Sequence, residues 1–118
     1  METLDILKIA VKAADDKKGE DIEVIKVDDL TILADYFMIV SGASNTQVRA
    51  IAEEIEDKLA KQGVEPHHIE GRASTWILID YGTVVVHVFY KEAREFYDLS
   101  KLWQEGEQVD VEALLEGI

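Results

Sequence analysis

The chain of 118 residues contains no cysteine, which excludes a disulfide framework, a thiolate nucleophile and cysteine-bound zinc together. That composition fits a reducing compartment. Basic residues are scarce: 12 Lys and Arg stand against 25 Asp and Glu, a net charge of -13. Phosphate-driven binding needs clustered cations to replace counterions, so direct nucleic-acid binding is not expected and a basic protein partner fits better. Long hydrophobic runs are missing too, and the start Met1-Glu2-Thr3-Leu4-Asp5 has neither the basic opening of a signal peptide nor the Arg-rich look of a transit peptide. The expectation is a cytoplasmic protein with no membrane partner. With a single proline and no repeat, low-complexity tract or linker, the length suits one domain with a real core.

The richest strand signal lies between Ile69 and Trp103. Thr75 to Asp80 and Val84 to Tyr90 are two alternating runs joined by Tyr81-Gly82-Thr83, which reads as an antiparallel hairpin followed by a helix from Lys91. Alternation puts Thr75, Ile77 and Ile79 on one side and Trp76, Leu78 and Asp80 on the other. Upstream, Thr3 is a candidate N-cap for a helix whose stripe is Leu4, Leu7, Val11 and Ala14, ending near Lys18-Gly19. Ile22 to Val27 reads as a strand, and Asp35 to Ser41 as a central strand covered on both faces. Ser41 to Asn45 then caps a helix to about Gln62 with the stripe Val48, Ile51, Ala52, Ile55 and Leu59. Pro66 opens a short edge strand. The sum is an α/β fold, a mixed β-sheet of about five strands with helices packed on it, over residues 1–103. Residues 104–118 form an acidic C-terminal tail with five acids and no bases, either a docked helix or frayed.

Chemistry is harder to find. Ser41-Gly42-Ala43-Ser44 joins a strand to a helix N-terminus, a place that attracts anions, yet neither dinucleotide nor P-loop spacing is present. An ordinary capped turn explains it. Nucleotidyl transfer would need carboxylates arranged for magnesium, and Asp28, Asp29 and Asp35 have no matching partner. His67 and His68 are adjacent and point to opposite sides of an extended chain, so with Glu70 and His87 they make no recognised metal pattern. No serine sits in a nucleophile elbow. We therefore expect no enzyme, no cofactor and no metal, with a nucleotide-binding or nucleotidyltransferase-like enzyme as the alternative. That leaves Trp76, Leu78 and Asp80, which are core if helices cover both sheet faces and a protein-binding patch if they do not.

The ordered motifs Asp35-Tyr36-Phe37-Met38-Ile39-Val40-Ser41-Gly42-x-Ser44-Asn45-x-Gln47-Val48, Glu70-Gly71, Trp76-Ile77-Leu78-Ile79-Asp80-Tyr81-Gly82, Val85-Val86-His87-Val88-Phe89 and Arg94-x-Phe96-Tyr97-x-Leu99-x-x-Leu102-Trp103 closely resemble the ribosomal silencing factor family, also called Iojap-like. The resemblance implies a fold related to nucleotidyltransferases without their catalytic residues, and a non-enzymatic role. It further implies binding to ribosomal protein fourteen of the large ribosomal subunit, so that the small subunit is excluded and translation is repressed. On motif position, Trp76, Leu78, Asp80 and Tyr81, with Tyr97, Asp98 and Leu99, would form the contact, and a homodimer would compete with it. Thr83 and Ser100 stand where the family commonly carries acids.

Overall fold

The computed structural model describes residues 2–71, 75–96 and 105–116. Helix α1 spans Thr3–Asp16 and is followed by strands β1, Glu20–Lys26, and β2, Tyr36–Gly42. Helix α2 covers Asn45–Ala60, and the strands β3, His68–Glu70, β4, Trp76–Asp80, and β5, Val84–Tyr90, come next. Helix α3, Lys91–Phe96, strand β6, Glu107–Val109, and helix α4, Val111–Glu116, complete the described chain.

Among the described residues the strands form one six-stranded mixed sheet in the order β3-β4-β5-β2-β1-β6. Only β2 and β5 pair in parallel, with Tyr36 opposite Val84 and Gly42 opposite Tyr90. The helix between two parallel neighbours must cross the sheet, and α2 does so over one face. The α/β expectation holds. The additional strand comes from the acidic segment: Glu107–Val109 pairs antiparallel with β1, and Leu114 of α4 is buried in the helical-face core, with α4 packed against α1 and β1. The segment that the sequence leaves open as docked or frayed is docked over these residues.

The strand faces follow the alternation. One face buries Val24, Met38, Val40, Ile77, Ile79, Val84, Val86 and Val88 under α1 and α2. On the other lie Ile25, Phe37, Ile39, Val85 and Phe89, with Trp76, Leu78 and Ala93 packed against them. The α2 stripe is the expected one, Val48, Ile51, Ala52, Ile55 and Leu59. The α1 stripe differs from expectation. It is centred on Ile6, Leu7, Ala10, Val11, Ala13 and Ala14, and Leu4 remains exposed in the first turn. The N-cap is Glu2 rather than Thr3, with the Asp5 carboxylate accepting from the Glu2 N–H at 3.2 Å.

The passage from α1 to β1 is tight. The Gly19 N–H donates to Ala14 O at 2.8 Å, and a Cβ on Gly19 would stand 2.6 Å from Val40 Cγ2, so the backbone approaches β2 where no side chain fits. Beyond it β1 carries a bulge, with a register shift between Glu20 and Glu23 and Asp21 at φ 50°.

Candidate functional site

Strand β4 positions the candidate surface. Ile77 and Ile79 are buried in the helical face, while Trp76, Leu78 and Asp80 alternate with them and are each partly exposed on the other side. The floor beneath that row is aromatic. The Trp76 indole stacks on Phe89 with centroids 4.9 Å apart, and its Nε1–H donates to His87 Nδ1 at 3.1 Å. Phe37 meets the His87 ring edge-on at 5.4 Å. Trp76 is thereby fixed from below while its flank remains partly open, the usual condition of an anchoring aromatic.

The hydrogen bond from the indole requires Nδ1 of His87 to be an acceptor, so the neutral ring carries its proton on Nε2. That atom is buried and has no hydrogen-bond partner. Burial pushes the His87 pKa down to about 4, so the ring is uncharged at neutral pH. His87 is a support for the row, itself only 5% exposed, and not a surface group.

Asp80 has a structural task as well. Its Oδ1 accepts from the Gly82 N–H at 2.7 Å, and the Tyr81 N–H donates to Val84 O at 2.9 Å, closing the hairpin turn that Gly82 makes with φ 87°. Tyr81 does not join the surface row. The alternation that turns Ile77 and Ile79 toward the helices turns Tyr81 with them, and it is 6% exposed within the helical-face core. Its phenol is buried without a hydrogen-bond partner, and burial raises its pKa, with Glu56 and Glu65 adding to the effect. Tyr97, Asp98 and Leu99 lie outside the described residues.

Arg94 is a group that the sequence reading left without a role. From α3 it donates through Nη1 to Asp21 O and to Ser41 Oγ at 2.9 Å, and its Nη2 lies 3.0 Å from Glu23 Oε2. One guanidinium therefore satisfies the carbonyl freed by the β1 bulge and fixes α3 across β1 and β2. Only the pairing of a long-range bulge with an arginine far along the chain reveals this, and no local sequence signal does.

The strand-to-helix turn at Ser41-Gly42 is occupied by its own side chains. Ser44 Oγ accepts from the Gln47 N–H at 3.1 Å, and Gln47 Oε1 accepts from the Ala43 N–H. Gln47 Nε2 then donates to the Lys17 and Lys18 carbonyls, tying the start of α2 to the end of α1. Two of the N–H groups at this turn, those of Ala43 and Gln47, are thereby engaged in capping. Gly42 is required by packing, because a Cβ there would come within 2.9 Å of Val48 N and Cγ2. His68 Nε2 lies 2.8 Å from Glu70 Oε1, and among the described residues no three His, Asp or Glu side chains are grouped to hold a metal ion. No described helix is long and apolar enough to cross a membrane.

Comparison with known proteins agrees over almost the whole length. The family described as ribosomal silencing factor during starvation matches residues 1–117. The ribosomal silencing factor RsfS of Bacillus subtilis is 43% identical over 113 residues, covering 95% of this chain and 96% of that one. Its counterpart from Halalkalibacterium halodurans is 40% identical over 116 residues, covering 98% and 99%. A crystal structure of a protein from Chromobacterium violaceum superposes with a TM-score of 0.86 at 39% identity, over 93% of this chain and 92% of that one. The chain belongs to the ribosomal silencing factor family.

Proposed function

We propose that this protein silences ribosomes by binding the large subunit with the open flank of β4 and standing where the small subunit would dock. Family membership supplies the coarse role, ribosome silencing during starvation, which is regulatory rather than enzymatic. The observation that carries the finer reading is the row of Trp76, Leu78 and Asp80, partly exposed above a buried aromatic floor on a sheet whose other face is closed. An apolar anchor held in one orientation and accompanied by a carboxylate suits a basic, folded protein surface. In this reading the partner is ribosomal protein fourteen, Tyr97, Asp98 and Leu99 extend the contact, and Tyr81 serves it from beneath by holding the turn. Repression is steric and needs no cofactor, and it takes place in the cytoplasm. In the absence of ribosomes the same apolar row would pair two copies as a homodimer.

The test is co-sedimentation with isolated large and small subunits, using Leu78→Ser and Trp76→Ala beside the unaltered protein. Leu78→Ser is the cleaner variant, because removing Trp76 also deprives His87 of its donor. Binding to the large subunit alone, weakened in Leu78→Ser by roughly 2 kcal/mol with an unchanged circular-dichroism spectrum, is the expected outcome. Binding to neither subunit rejects the proposal. Titration with magnesium nucleotides addresses the enzyme alternative, for which heat at millimolar concentration would be required.

A further inference from the structure

The connection from β1 to β2 is firmly built and yet presents apolar side chains to water. Its ends are clamped, with the Val27 N–H donating to Asp35 O at 2.8 Å and the Asp35 N–H to Thr83 O at 2.9 Å. Within it, the Leu30 and Thr31 N–H groups donate to Val27 O at 2.9 and 3.0 Å, and the Leu33 N–H donates to Thr31 Oγ1 at 3.1 Å. Val27 and Ala34 are buried with Phe37 and Val85, which anchors the loop to the edge of the same face that carries Leu78. Backbone contacts and Thr31 thus define the turn, and its tip has no need of large apolar residues. Even so, Ile32 is 102% exposed and Leu33 76%, with exposed Asp28 and Asp29 preceding them.

Singly exposed apolar residues are ordinary, but two adjacent ones on a hydrogen-bonded loop tip, bordered by carboxylates, form a fixed protrusion. We propose that the 28–35 loop is a second docking element, and that it meets a basic protein surface of the large subunit with an apolar recess for Ile32 and Leu33; this assignment rests on the large-subunit reading above. Charge selects the occupant. Ribosomal RNA would bring phosphates against Asp28 and Asp29, and a second copy meeting this loop with its own would set the same acids against each other. A basic protein surface complements both the carboxylates and the protein as a whole. Position agrees, since Thr83 O accepts from both Asp35 and Tyr36 and so joins the loop to the turn that follows Asp80. The clamped ends also mean that little chain freedom is lost on docking.

Co-sedimentation decides between the outcomes, with the unaltered protein, the double variant Ile32→Ser/Leu33→Ser and the double variant Asp28→Asn/Asp29→Asn compared at low and moderate salt. The serine variant is expected to bind large subunits about tenfold more weakly or worse with an unchanged melting temperature, because both side chains are exposed in the free protein. The asparagine variant is expected to bind more weakly at low salt and to show a shallower salt dependence. If the serine variant binds as the unaltered protein does, the loop is not a docking element while the large-subunit reading stands. If the unaltered protein binds no large subunits, both fall. Light scattering showing that the serine variant loses self-association and keeps ribosome binding would make the occupant a second copy and overturn the assignment.

Discussion

On the face under α1 and α2, buried side chains are aliphatic apart from Met38 and Tyr81, and most are closed to water. The opposite face also buries Ile25, Val27, Ile39 and Val85, but beside β4 its floor is Phe37, His87 and Phe89, and the β4 flank leaves Trp76 and Leu78 half-covered. Branched aliphatic side chains pack densely between helices and sheet, and such a face gains most from being shut. Planar rings with a polar atom, by contrast, hold a surface residue in place without enclosing it. Both faces of the sheet carry core, and only the β4 flank of the second is left partly open.

The contrast can be broken most forcefully from the closed side. Ile55→Ala empties a fully buried position and should cost about 3 kcal/mol or more in urea unfolding. Leu78→Ala, on the open flank, should cost far less; a loss equal to that of Ile55→Ala would mean that the β4 flank is core as well. Acid sharpens the difference next. Because burial holds His87 near a pKa of about 4, below the 6.5 of the unfolded chain, the unfolded state takes up a proton first as pH falls. The associated stability is present above pH 6.5 and is lost progressively toward pH 4, by at most about 3 kcal/mol. Urea titrations at pH 7 and pH 4.5 should show this loss, and His87→Phe should make it smaller, since the phenyl ring has no proton to gain. The smallest effect belongs to Leu78→Ala itself, about 1 kcal/mol of stability, while its binding to large subunits falls much further.

Local periodicity made much of this legible. Five positions of the α2 stripe, the doubly covered β2 and the two sides of β4 follow from spacing alone, because neighbours along one element decide them. The same rule assigns Tyr81 to the side of Ile79, whereas its motif position beside Asp80 points to the surface row. Other features depend on residues far apart. Glu107–Val109 becomes a strand only because β1 offers an edge, and the bulge at Asp21 is held by Arg94. Ile32 and Leu33 fall in a connection between two strands, where no periodicity says which way they point, and the closed loop turns them outward.

The parallel pairing of β2 with β5 has a consequence for the order in which the chain assembles. The β4–β5 hairpin can close early, since its partners are joined by a short turn, whereas β5 must wait for β2 until α2 and β3 have folded back between them. Closing that long loop is the slow, entropically opposed step of such a topology. Until it happens, the apolar edge of β5 is unpaired and open to the wrong strand. Substitutions along the β2–β5 seam should therefore retard folding itself, while those at the outer strands β3 and β6 act mainly by hastening unfolding.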